Sequence, residues 1–197
     1  MDTKLLLELE NILYPNEVAH ILKIMPTLYY SLFSINSDYY YSTVWLDEYL
    51  SQILFHRLKP YIPNIIEGKS FYNINDAFRV YRYDPGIAYR TTNKDIILPY
   101  GNKPYDKSIL SIMIFLNDNY HGGEVVFGNR VIIPKLGKVV IYDNSLEYSV
   151  NRVTEYHKYE LNTNILTYNN IQPSSISLPN IVSQHHIPSF NPYFKHI

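Results

Sequence analysis

The stretch Ser108 to Phe127, SILSIMIFLNDNYHGGEVVF, constrains the fold more than any other part of the chain. Ile109 to Leu116 is an apolar run of strand length in which β-branched and aromatic residues are frequent. Such a run predicts a strand buried on both faces, because a strand with one wet face alternates. Asn117-Asp118-Asn119 then supplies turn chemistry. Gly122-Gly123 lets the backbone turn where a Cβ would clash. Glu124 to Phe127 restarts as a strand.

Two apolar strands need something to bury them, and the chain has it. Its 197 residues suffice for one domain with a core, or one domain plus a tail. Hydrophobic residues make up 46% and charged residues 18%, which is a globular balance rather than a disordered one. The net charge of -1 gives no global pull towards nucleic acid or anionic membrane. The absence of Cys excludes disulfides, thiolate metal sites and a cysteine nucleophile. The apolar part of the N-terminus is too short for a signal peptide, and no apolar run reaches transmembrane length. A cytoplasmic protein with no membrane partner is the expectation. Richness in Asn, Ile and Tyr, including 21 Tyr, is the composition of an AT-rich genome such as those of some large DNA viruses.

Asp2 to Ile12 reads as a short strand or helical turn. Tyr14-Pro15-Asn16-Glu17 opens a helix, with Pro near its start and Glu in the first turn. Val18, Ile21, Leu22 and Ile24 form its apolar stripe, and Pro26 stops it. Leu28 to Tyr41 is rich in Tyr and Ser and reads as irregular or extended. Trp45 to Leu58 carries Leu46, Leu50, Ile53, Leu54 and Leu58 at helical spacing and predicts a second helix. From Asp76 the texture becomes β. Phe78 to Tyr83 alternates and ends at the turn signal Asp84-Pro85-Gly86. Ile96-Ile97-Leu98, Val131-Ile132-Ile133, Lys138 to Tyr142, Leu146 to Val150 and Lys158 to Tyr168 follow as strand-like segments. Several short strands after two helices indicate an antiparallel sandwich or jelly roll with helices packed on one side, an α+β fold that is mainly β. The tail from 169 to 197 is rich in Pro, Ser, Asn and His and has no periodicity.

These pieces, in this order, resemble the prolyl 4-hydroxylase-like branch of the iron(II)/2-oxoglutarate dioxygenases. The likeness covers roughly Leu9 to Tyr168. Asn11 to Val18 looks like the family's first helix and the Trp45 helix like its second. Arg82-Tyr83-Asp84-Pro85-Gly86 resembles an R-Y-x-x-G strand end. Phe115-Leu116-Asn117-Asp118 with Gly122-Gly123-Glu124 is similar to an L-N-D…G-G-E strand pair. Ile133 to Gly137 resembles a P-x-x-G turn, and Val153-Thr154 with Lys158-Tyr159 resembles a V-T…K-Y segment. The resemblance implies a double-stranded β-helix (jelly roll, cupin-like) at about 76–168, with N-terminal helices at about 14–58 on one sheet. It makes 1–168 one dioxygenase-like domain.

It also implies Fe(II) held by His-x-Asp and a distant His, with open positions for 2-oxoglutarate and oxygen. Alignment on Pro85-Gly86 and Tyr89 puts Thr92 and Lys94 at the first two ligand positions. Alignment back from Val153-Thr154 and Lys158 puts Tyr148 at the third. Lys94 argues most strongly against a metal: an ammonium has no lone pair to give. Its charge would repel each unit of metal charge at about 4 Å by roughly 4 kcal/mol at an effective dielectric of 20. A slip by one gives Asn93-Lys94-Asp95, which restores one carboxylate and leaves Asn where His belongs. The acid-binding position survives by resemblance: Lys158 matches the residue that pairs the far carboxylate of 2-oxoglutarate, and Tyr83 a tyrosine lining that pocket. The alternative for Lys158 is a strand-edge residue with its head in water. Lys94 and Lys158 together could form a metal-free site for a dicarboxylate or a phosphate.

Arg79, Arg82 and Arg90 interleave with Tyr81, Tyr83 and Tyr89, a pattern that can stack on single-stranded nucleic acid. At this net charge alternating strand faces explain it better. The Tyr-rich segment from Leu28 to Tyr41 suits a protein interface as well as a core. The leading expectation is a catalytically inactive dioxygenase fold acting as a binding or regulatory module, of which a viral modulator of a host protein is one form. The alternatives are an active hydroxylase with an atypical ligand set and a structural or assembly protein.

Overall fold

The computed structural model describes residues 4–35, 38–66, 68–90 and 108–169. Along the chain the elements are β1 (Leu6–Leu9), α1 (Pro15–Ile24), β2 (Ser31–Ile35), β3 (Asp38–Leu46), α2 (Glu48–Leu58), β4 (Ile65–Ile66), β5 (Lys69–Ile74), β6 (Ala77–Tyr83) and β7 (Tyr89–Arg90). They continue with β8 (Leu110–Phe115), β9 (His121–Gly122), β10 (Val125–Phe127), β11 (Arg130–Ile132), β12 (Val139–Asp143), β13 (Ser149–Val150), β14 (Val153–Glu155) and β15 (Lys158–Asn169). Among the described residues every strand pairing is antiparallel. The major sheet runs β1-β12-β8-β15-β6-β3-β2, with β5 also on β15 and β4 on β5. A minor sheet runs β11-β10-β13-β7, and β14 pairs with β9.

The expected jelly roll is present as helices, major sheet and minor sheet in layers. Alternation along the central strands explains why. Phe78 and Val80, Ile112 and Ile114, Val139 and Ile141, and Leu161 and Ile165 pack with Val18 and Ile21 of α1 and Leu50, Leu54 and Leu58 of α2. The residues between them turn the other way: Tyr81, Tyr83, Met113, Phe115, Val140 and Tyr142 meet Val125, Phe127, Ile132 and Val150 of the minor sheet. With apolar side chains on both faces, β8 is buried along its whole length. The Ile109–Leu116 run demanded this.

A polar contact ties the two helices to each other. Glu17 is almost fully buried and takes both guanidinium nitrogens of Arg57, at 2.6 and 2.8 Å. Arg57 also donates to the Ile12 carbonyl at 2.7 Å. Burial pushes the Glu17 carboxyl up, but the Arg57 hydrogen bond and the Tyr14 N–H outweigh it, so it sits below its ordinary range.

Several expectations change in detail. Of the two readings for Leu28 to Tyr41, irregular or extended, the extended one holds: the segment contains β2 and the first four residues of β3. Trp45 and Leu46 belong to β3, not to the second helix, because Asp47 is the N-cap and its Oδ1 accepts from Leu50 N at 2.8 Å. The strand β5 precedes Asp76, where β texture was expected to start. Within the stretch read as a short strand or helical turn, Leu6–Leu9 form the strand β1. The predicted strand at Ile96–Leu98 and the tail beyond Asn169 lie outside the described residues.

The Pro134–Gly137 turn is set by a close approach. Gly137 has φ +75, and a Cβ there would lie 2.3 Å from the Leu13 carbonyl oxygen. Its own N–H donates to Phe115 O at 2.9 Å, and its carbonyl accepts from Leu13 N at 3.3 Å. Gly137→Ala is therefore expected to destabilise the fold by about 3 kcal/mol, combining left-handed strain with a backbone clash. A urea midpoint unchanged from wild type would contradict this packing.

Candidate functional site

Strand β15 sets the chemistry between the two sheets. Lys158, Glu160, Asn162 and Asn164 share its inward face, while Tyr159, Leu161 and Ile165 share the helix face. All four inward residues are polar, and all are buried. In register, Lys158 stands opposite Tyr83 of β6, and Glu160 stands between Tyr81 of β6 and Phe115 of β8.

Lys158 is not a surface residue: its relative exposure is 0%. Its ammonium lies 5.1 Å from the centre of the Tyr83 ring and 5.2 Å from that of Phe115. Nζ donates to the Gly123 carbonyl at 3.0 Å and forms an ion pair with Glu160 Oε2, also at 3.0 Å. Glu160 is equally buried, and no hydrogen-bond donor among the described residues is well aligned with either of its oxygens. Burial pulls the Lys158 ammonium below its ordinary pKa, and the Glu160 carboxylate works against that fall. Gly123 permits the arrangement. It has φ +72, and a Cβ would come within 2.9 Å of the Tyr120 ring and 3.2 Å of Lys158 Cδ.

Tyr148 is buried in the same interior. Its ring centre lies 5.2 Å from that of Phe127 and 5.7 Å from that of Tyr142. Its hydroxyl accepts from Asn162 Nδ2 at 3.4 Å. Burial, reinforced by Tyr142 and Tyr81, drives this phenol well above its ordinary pKa.

These positions can be tested against iron and 2-oxoglutarate. A phenol held protonated is a poor ligand for Fe(II), so Tyr148 does not fit the third metal position. Among the described residues no group of three or more His, Asp or Glu side chains is placed to hold a metal ion. Thr92 and Lys94 lie outside the described residues, and with them the proposed two-lysine anion site. Lys158 and Tyr83 do come together, but the carboxylate at the ammonium belongs to Glu160. Sequence reading missed Glu160, although an i, i+2 Lys–Glu pair on a strand necessarily shares a face. Nothing local revealed Gly123 O or Asn162 as partners, because both contacts are long-range.

The Arg–Tyr pattern resolves into packing at Arg82. Its guanidinium sits 4.2 Å over Tyr41 and 5.3 Å over Tyr30, and pairs with Asp84 at 2.9 Å. A groove of about 550 Å³ lies elsewhere, between α1, the end of β3 and α2, lined in part by Ile21, Trp45, Asp47 and Ile53. It belongs to the helix layer, across the major sheet from Lys158.

No family model matches the chain, and no curated protein matches it. Solved structures do. A viral collagen prolyl hydroxylase from Paramecium bursaria Chlorella virus-1, in a 2OG complex, superposes with a TM-score of 0.58 at 16% identity, covering 85% of this chain and 98% of that one. A 2OG-Fe(II) oxygenase family oxidoreductase from Burkholderia pseudomallei gives 0.61 at 14% identity, covering 83% and 86%. A Pseudomonas putida prolyl-4-hydroxylase gives 0.58 at 13% identity, covering 84% and 94%. Likeness at this level of identity speaks for architecture. The chain is built on the jelly-roll fold of the prolyl 4-hydroxylase-like 2OG-Fe(II) oxygenases.

Proposed function

We propose that this protein is a dioxygenase-fold module that binds a protein partner and does not catalyse hydroxylation. The observation that carries the reading is Tyr148. At the place where the resemblance expects a histidine ligand, the chain has a buried, protonated phenol packed between Phe127 and Tyr142. A scaffold can persist without its chemistry, because folding depends on many strand residues and catalysis on a few side chains.

A binding role is supported by one edge of the major sheet. Among the described residues strand β2 is an edge strand, and its sequence, Ser31-Leu32-Phe33-Ser34-Ile35, has no charge and no Pro. Leu32, Phe33 and the nearby Val44 are each about half exposed. The opposite edge, β1, carries Glu8, which pairs with Arg130 and Lys138. Charges guard a sheet edge against strand addition, and β2 has none. A β-strand of a partner protein suits it.

Anaerobic titration with Fe(II) or Mn(II) should show no binding to the wild type, and binding by Thr92→His/Lys94→Asp/Tyr148→His. Fe(II)-dependent succinate production from 2-oxoglutarate by the wild type would overturn the non-catalytic reading. If β2 is an open edge, the wild type should self-associate with rising concentration in light scattering, and Phe33→Lys should abolish this. A wild type that stays monomeric throughout removes β2 as a contact strand. The phenols of Tyr148 and Tyr120 are raised by burial, and that of Tyr30 is pushed up to about 12. Unfolded tyrosines ionise near pH 10, so the stability from Tyr30 is complete below about 10 and is lost between about 10 and 12. Spectrophotometric titration should register the buried phenolates only as near-ultraviolet dichroism collapses. Ionisation of all 21 tyrosines in a folded protein would contradict their burial.

A further inference from the structure

The interior of the barrel contains a complete charge pair made from one strand. Lys158 and Glu160 are two residues apart on β15, both at 0% exposure, with Nζ and Oε2 3.0 Å apart. The ammonium also has the Gly123 carbonyl at 3.0 Å and two aromatic faces, Tyr83 and Phe115, at 5.1 and 5.2 Å. Among the described residues its contacts are therefore one carboxylate, one carbonyl and two rings. Its charge is matched inside the fold.

We infer that Glu160 is a built-in carboxylate, seated at Lys158 where an acidic small molecule would otherwise bind, and that it closes the interior to dicarboxylates. This deepens the non-catalytic reading and rests on it. The physical reason is the fate of Glu160 if a ligand arrived. An incoming carboxylate would need Lys158 and would meet a second buried anion already there. Two like charges at about 4 Å weaken binding roughly a thousandfold at an effective dielectric of about 20. Withdrawing Glu160 instead would leave its carboxylate buried without a cation, which is no cheaper. Once the Glu160 charge is removed, the same contacts become an unfilled acceptor site. Among the described residues the buried ammonium then keeps the Gly123 carbonyl and the two rings but has no carboxylate in contact, and a small dicarboxylate supplies the missing counter-charge.

The test is isothermal titration of the full chain with succinate and with 2-oxoglutarate in chelator-treated, metal-free buffer. The wild type should give no heat. Glu160→Ala should bind at least a hundredfold more tightly, and Lys158→Met/Glu160→Ala should lose that binding. If Glu160→Ala does not fold, Glu160→Gln keeps the side chain's volume without its charge. Succinate should then raise the Tm of this variant and not that of the wild type. If neither variant folds, the pair is read from stability. Lys158→Met alone should lower the folding equilibrium constant on the order of a hundredfold or more, and Lys158→Met/Glu160→Leu should recover much of it. A wild type that binds either acid as tightly as the variant overturns the inference. So does a folded Glu160→Ala or Glu160→Gln that binds neither acid, or a double variant no better than the single. Metal-free binding by a wild type that makes no succinate with iron sinks this inference alone. Iron-dependent succinate production sinks the non-catalytic reading as well.

Discussion

The antiparallel pairing of β15 on both of its sides is the contact on which the other layers depend. On one side Glu160 to Asn164 pair with β8, and on the other Lys158 to Asn162 pair with β6 before Ile165 to Asn169 continue along β5. The corner between β5 and β6 is pinned to the same strand. Asn75 N donates to Asn164 O at 2.9 Å, and Thr163 Oγ1 donates to Asn75 O at 2.9 Å. The strand's period of two then sends Leu161 and Ile165 to the helices and Lys158, Glu160, Asn162 and Asn164 to the minor sheet. Shifting this register by one residue would place an ion pair under the helices and leucine in the polar interior.

The polar row explains why the interior is asymmetric. The helix side of the major sheet is aliphatic, and α1 and α2 cover it. The minor-sheet side is aromatic and polar: it holds Tyr81, Tyr83, Phe115, Phe127, Tyr142 and Tyr148, and the Tyr83 and Phe115 rings flank the ammonium of the buried Lys–Glu pair. Aromatic faces suit an ammonium that cannot reach water, and the Tyr148 hydroxyl gives Asn162 a partner. In this arrangement a single pair of opposite charges is tolerated inside because the two cancel within 3.0 Å.

Much of this was legible in the chain. The apolar run at Ile109–Leu116 foretold a strand covered on both faces, the Pro15 and Leu50–Leu58 patterns foretold the helices, and the phrase LND…GGE pointed to the jelly roll. Other features were hidden for physical reasons. The Tyr-rich segment from Leu28 to Tyr41 lacks clean alternation, because its partners are mixed: Leu28 and Tyr30 pack against the helix-side core, Tyr41 lies under Arg82, and Tyr40 meets Tyr81. Helical spacing ran through Trp45 and Leu46 because an apolar strand end and an apolar helix face look alike until Asp47 caps the helix.

The sequence by itself determined the two helices and the central strands in outline, that no thiol chemistry exists, and that Lys158 and Glu160 face the same way. Those properties depend on residue type and on spacings of two and 3.6, which are local. The tertiary structure alone decided that Lys158 is sealed from water and that Gly123, 35 residues away, supplies its second acceptor. It also decided that Tyr148 is a packed, protonated ring beside Asn162. Burial and partner choice come from which strands lie side by side. That is set by long-range pairing, which no window of neighbouring residues contains.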